Sequence, residues 1–331
     1  MNIHTPFALK LAGIALLSLA VACDGNDAET DPMDTDDTTD TDDTNGGDTD
    51  DDEPAPTQSI YEIASANDDF STLKAAIDYA ELDGTLSGSG TFTVFAPTND
   101  AFDDLLEDLG ATALTDLGTP QEVANILLYH VLGAEVRAAN VSAGPVATLS
   151  QNEWEGAMSF FIGTEGGVTV NGANVTATDI SATNGVIHVL DAVISPPTIF
   201  DAAGFAGLTG LAGAIQAASA TAQLRSTLEG DGPLTVFAPT NDAFDDIATI
   251  VAGLDGETIT TVVQTHVITA YVTSSDLTNG DVTTASDVDV TIDADNLTVS
   301  WDNTANIGPA DIHVENGVIH LIDAVLVPAL D

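Results

Sequence analysis

Six histidines, one cysteine and a large excess of carboxylates are the side chains of this 331-residue chain with chemistry to offer. Four histidines recur in matched positions: His130 with His266, and His188 with His320. Two imidazoles per segment suit a metal. Apolar neighbours, as in Val186-Ile187-His188-Val189-Leu190, point instead to buried, hydrogen-bonded rings. The expected partners are Asp191 and Asp323, or Asn99 and Asn241. His313 has no counterpart, so no shared site depends on it. The pairs Asp103/Asp104 and Asp245/Asp246 also recur, but adjacent helical residues diverge and make no general acid/base pair. No nucleophile elbow, phosphate loop or HExxH motif occurs. The sequence therefore predicts neither an enzyme nor a resident cofactor.

Charge narrows the partners. There are 53 acids against 4 Lys+Arg, a formal charge of −49. Phosphate backbones need Lys and Arg, so nucleic acid is excluded, and an anionic lipid surface is repelled as well. A lone Cys has no partner for a disulfide within the chain and builds no multi-Cys zinc site.

That Cys stands at a telling place. Residues 11–22 (LAGIALLSLAVA) form a twelve-residue apolar run. It is too short to span a bilayer but right for the core of a signal peptide over residues 1–22. Leu19-Ala20-Val21-Ala22-Cys23 resembles a bacterial lipobox, with Ala20 where Leu is usual. The resemblance implies cleavage before Cys23, lipidation of its thiol and membrane anchoring. The alternative is an ordinary secretory signal cut near Ala22. Residues 23–57 follow as an acidic stalk with fifteen acids between Asp24 and Glu53. Mutual repulsion and the lack of apolar surface predict an extended, disordered spacer. Its Asp-x-Asp spacings (Asp40/Asp42, Asp48/Asp50) offer weak, diffuse Ca²⁺ attraction, without the register of an EF-hand loop.

From about residue 58 the chain repeats. TVFAPTNDAFDD occurs at 93–104 and again, unchanged, at 235–246. NGVIHVLDAVISPP (184–197) answers NGVIHLIDAVLVP (316–328), LLYHVL (127–132) answers VVQTHVI (262–268), and FSTLKAAI (70–77) answers LTGLAGAI (208–215). Two copies of one domain are expected, at 58–197 and 198–331, meeting at Pro196-Pro197. In each copy helical spacing dominates first: 58–82, with a cap at Asn67 or Asp68, and 121–132. A strand at 91–95 is closed by Pro97, and Thr98 caps a helix with Asp100 in its first turn. Short antiparallel strands cluster later, with turns at Asn171-Gly172 and Asn184-Gly185. Helices followed by strands predict an α+β fold.

TVFAPTNDAF, the His130 region and NGVIHVLDAVI resemble the first, middle and last signatures of fasciclin domains, across both copies. The resemblance implies an α+β domain, a β-wedge or small sandwich with several packed helices. It also implies an exported, surface-anchored or secreted protein that adheres to cell-surface or matrix proteins or to polysaccharide. The alternative function is an envelope protein binding a small ligand or cation. An Asp-Ile pair before the last signature belongs to an adhesive motif in animal members. Here it is Asp179-Ile180 and Asp311-Ile312, without the flanking Glu-Pro and Met. The family's Tyr-His motif is Tyr129-His130, with Thr265 replacing the Tyr in the second copy.

Overall fold

Ser59 opens the first copy with a capping box. Its hydroxyl accepts from the Glu62 N–H, and the Glu62 carboxylate accepts from the Ser59 N–H. Helix α1 (Ile60–Ala66) buries Ile60 and Ala64. The Asn67 side chain then caps a short 3₁₀ turn, Asp68–Phe70. Helix α2 (Ser71–Tyr79) buries Leu73, Ala76 and Ile77 on one face, and α3 (Asp83–Ser87) follows. The computed structural model describes residues 55–328 except residue 252. The leader, Cys23 and the stalk as far as residue 54 lie outside the described residues.

Strand β1 (Phe92–Pro97) is buried on both faces. Val94 and Ala96 meet the helices, while Phe95 meets the other sheet. Thr98 caps α4 (Asn99–Leu109) through the Ala101 N–H, and Asp100 lies in the first turn. Gly110 ends α4 in the left-handed region. Helix α5 (Pro120–Tyr129) is shorter than the sequence pattern predicts. It stops at His130, and β2 (Val131–Leu132) pairs with β1.

The strands β3 (Gly144–Gln151), β4 (Ala157–Gly163), β5 (Thr169–Val170), β6 (Ala173–Ala182) and β7 (Gly185–Leu190) complete the copy. Asn171-Gly172 is the two-residue turn of the β5–β6 hairpin, with both residues at positive φ. The next turn is Thr183-Asn184, one residue earlier than expected, because Gly185 pairs with Ala182. Pairing is not wholly antiparallel either. β1 and β7 run parallel from Phe92↔Gly185 to Pro97↔Leu190, since the whole middle of the copy separates them in sequence. β6 bridges two sheets, pairing with β5 at one end and β7 at the other, and shifts register on the way. This gives the wedge: helices on one side of β1 and β7, a second sheet on the other.

The second copy repeats the plan. Helices α6 (Ile199–Phe205), α7 (Thr209–Ala217) and α8 (Thr221–Leu228) precede β8 (Leu234–Pro239). The partner of α4 is broken into α9 (Asn241–Asp246) and α10 (Ala248–Val251). Helix α11 (Gly256–Thr265) leads to β9 (Val267–Ile268), paired with β8. Strands β10 (Gly280–Thr283), β11 (Asp289–Asp293), β12 (Thr298–Ser300) and β13 (Thr304–Asn306) form one sheet. Strands β14 (Ile312–Val314) and β15 (Gly317–Ile322) join β8 and β9 in the other, with β8 and β15 parallel. The copies touch directly. Met158 on β4 pairs with His313 on β14, and the buried Phe161 ring belongs to the helical core of the second copy.

Candidate functional site

The repeated residues are clips that hold backbone to backbone. Thr93 is fully buried. Its hydroxyl donates to the Ala134 carbonyl at 2.7 Å and accepts from the Val136 N–H at 2.8 Å. Thr235 does the same with Ala270 and Val272. The Asn184 carboxamide accepts from the Ile60 N–H at the start of α1 and donates to the Leu86 and Gly88 carbonyls at the end of α3. Asn316 joins Ile199, Leu228 and Gly230 identically. Gly185 sits at φ 142, and a Cβ there would stand inside contact distance of the Phe92 carbonyl.

All four repeated histidines are buried, and both nitrogens of each are engaged. His130 donates from Nδ1 to the Ile126 carbonyl at 2.8 Å and accepts at Nε2 from the Ile194 N–H at 3.1 Å. His266 matches it with Val262 and Leu326. His188 takes the other tautomer. Its Nε2 donates to Val136 at 2.8 Å, and Nδ1 accepts from the Asp179 N–H at 3.3 Å. His320 repeats this with Val272 and Asp311. The expected carboxylate and carboxamide partners are therefore corrected to backbone groups. Asp191 and Asp323 instead hold Asn174 and Asn306, and Asn99 holds the start of α2. Burial pushes the His130 and His266 rings down to about 4 and keeps them neutral.

The adhesion candidates sit among these clips. Tyr129 is fully buried. Its hydroxyl donates to the Ser159 carbonyl at 2.8 Å and accepts from Asn171 at 2.9 Å. Neither it nor His130 reaches the surface. Thr265, at the Tyr position, bonds Thr261 and Ser286. Asp179 stands at φ 60 where β6 shifts register, and its carboxylate accepts from the Ala138 N–H. Asp311 is at φ 59 between β13 and β14, held by the Ser274 N–H and hydroxyl. Hydrogen bonds from Ser274 hold the Asp311 carboxyl below the usual range against an opposing burial effect. Ile180 is half-buried against the helical core, and Ile312 is buried in the corresponding core. The Asp-Ile pairs thus present a rigid backbone corner and a carboxylate edge, with no free isoleucine face.

The surface is almost purely anionic. The described cations are paired locally: Lys74 with Asp78, Arg137 with Glu135, Arg225 with Glu229. Glu315 is the carboxyl most affected by its surroundings. Burial, with Asp201 and Asp231 nearby, pushes it up to about 7. Stability carried by its protonated form is complete below pH 4.5 and lost as pH rises through 7. Glu315→Gln is expected to gain about 3 kcal/mol over the parent above pH 7 and little near pH 4. Equal gains at both pH values in denaturant titrations would refute the assignment.

The fasciclin-domain model matches residues 68–196 and 207–328. The chain belongs to the fasciclin-domain family. The protein sll1483 of Synechocystis is 44% identical over 142 residues, covering 42% of this chain and 74% of its own length. Human periostin is 29% identical over 267 residues, 78% of this chain and 31% of periostin. The chain therefore spans about a third of periostin. Among solved structures, a FAS1 domain pair from the insect cell adhesion molecule fasciclin I covers 82% of this chain and 96% of its own, at TM-score 0.44 and 17% identity. The α+β expectation for two tandem fasciclin domains holds. Among the described residues, no helix is long and apolar enough to cross a membrane. Sequence reasoning missed Trp154, Tyr271 and Phe161, which stand where the two fasciclin domains meet. They lie outside the repeated signatures, and only the pairing of β4 with β14 brings them together.

Proposed function

We propose that this chain is an exported surface protein, anchored through a lipidated Cys23 or secreted, that adheres to cell-surface or matrix proteins or to polysaccharide. The observation that carries the reading is the presence of two entire fasciclin domains in one chain. Two linked modules gain avidity without either binding tightly. The reading is non-catalytic, and the four repeated imidazoles support it by spending both nitrogens on backbone groups. With the cations of the described residues already paired, the protein meets neutral or cationic partner surfaces, or anionic ones bridged by divalent cations.

Bead aggregation and cell attachment in Ca²⁺ and then in EDTA test this. Binding above a control protein supports adhesion, and loss in EDTA places cations at the contact. Failure in both conditions rejects it. Residues 58–331 carry 38 acids against three bases. Their mutual repulsion is screened by salt, so Tm is expected to rise from low to high NaCl. A flat or falling Tm would show that self-repulsion does not limit stability.

A further inference from the structure

The two fasciclin domains differ where they face each other. Asn152 folds the β3–β4 turn of the first domain by accepting from the Trp154 and Gly156 N–H groups at 3.1 and 2.9 Å. Its Nδ2 donates across the boundary, to the Val314 carbonyl at 3.1 Å and the Tyr271 hydroxyl at 3.4 Å. Trp154, presented by this turn, stacks on Tyr271 with centroids 4.9 Å apart and planes 24° apart. Tyr271 in turn lies over His313 at 5.9 Å and 22°, with its hydroxyl 2.7 Å from His313 Nδ1. Gly156 leaves the room: a Cβ there would crowd both the Tyr271 hydroxyl and the His313 ring.

The repeat supplies an internal comparison. Thr93 clips Ala134 and Val136 as Thr235 clips Ala270 and Val272, which aligns Tyr271 with Glu135. Asp179-Ile180 aligns with Asp311-Ile312, which puts His313 opposite Ser181. In the first domain this face is polar and turned to solvent: Arg137 binds Glu135 at 2.8 Å and reaches Ser181 at 3.4 Å. In the second domain the same positions are aromatic and covered by the turn of the first. The same fold thus carries an aromatic face only where a neighbouring domain covers it.

We propose that Trp154, Tyr271 and His313, with Asn152, form a latch that fixes the angle between the domains and couples their unfolding. Below the latch, Phe161 enters the helical core of the second domain, so opening would also expose apolar surface. A latched pair presents its two outer surfaces at one spacing, rather than over the range a loose tether would allow.

A double-mutant cycle in the full chain tests it. Trp154→Ala and Tyr271→Ala are expected to couple by about fivefold in the unfolding constant, the range of a stacked aromatic pair. The parent is expected to melt in one calorimetric transition and Tyr271→Ala in two. Where Trp154→Ala disturbs its own turn, His313→Ala in a Trp301→Phe background keeps the test open. Trp154 is then the only indole, and its emission is expected to shift red as the stack loosens. Additive effects in the cycle, two transitions in the parent, or an unmoved Trp154 emission would overturn the latch.

Discussion

Replacing Asn184 or Asn316 with Ala is expected to cost about 3–5 kcal/mol, a large share of a domain's stability. Each carboxamide is buried and joins three backbone groups, one at the start of a helix and two at the end of another. Truncation leaves the Ile60 N–H and the Leu86 carbonyl without partners where they are buried, and the Gly88 carbonyl without its partner at a half-buried position. Each orphaned group costs about 1–3 kcal/mol. Asn99 is the internal control. It also accepts from one helix start, the Thr72 N–H, and donates to the Asp68 carbonyl, but at a half-exposed site that water can enter. Asn99→Ala is expected to cost only about 1 kcal/mol, as for a lost helix cap. Denaturant unfolding of the three variants decides the point. Equal losses at Asn99 and Asn184 would show that burial of the clip is not what matters.

The same contrast explains why NGVIH occurs twice. Asn supplies the clip. Gly185 lets β7 approach the Phe92 carbonyl, Val186 and Ile187 fill the core, and His188 holds the Asp179 corner. In the second domain Gly317 approaches the Leu234 carbonyl just as closely. Every position is used by the fold, so the signature identifies the family without marking a contact surface.

Much of the architecture was legible because its signals are local. The Thr98 cap and the Asn171-Gly172 turn each follow from a few neighbouring residues and stand where the sequence reading puts them, while Asn67, one of two residues read as capping the second helix, caps the 3₁₀ turn ahead of it. Burial of the histidines followed from their apolar neighbours. Their partners did not, because backbone donors and acceptors carry no residue type that a sequence could display. The parallel pairing of β1 with β7 was hidden for a related reason: it joins strands 93 positions apart, Phe92 to Gly185. The adhesion candidates were located by family resemblance, which says nothing of exposure. Tyr129 and His130 are buried because they hold α5 to the second sheet and to Ile194, and of the two only His130 recurs, as His266. The boundary between domains was the least legible part. A Tyr in place of Glu135 and a His in place of Ser181 are informative only once the two copies are superposed and the neighbour is seen to cover one of them.

Acid is expected to destabilise the protein through its buried histidines. His130 and His266 have folded-state values of about 4 against 6.5 when exposed. An unfolded chain therefore binds protons that the folded one refuses. Stability conferred by the neutral rings is complete above pH 6.5 and is lost as pH falls to 4. Each ring accounts for about 3 kcal/mol over that window. Glu315 acts in the opposite sense, since acid favours its protonated folded form below pH 7. The second domain therefore holds an offset that the described residues of the first lack. Three comparisons follow from this balance. The parent should lose stability from pH 6.5 to 4. His130→Gln, although weaker at pH 7, should lose less over the same range. Glu315→Gln should lose more, because the offset is gone. Denaturant midpoints at half-unit pH steps would measure all three. A His130→Gln slope equal to that of the parent would mean that the ring is already charged in the folded state, which its acceptance of the Ile194 N–H at Nε2 does not allow.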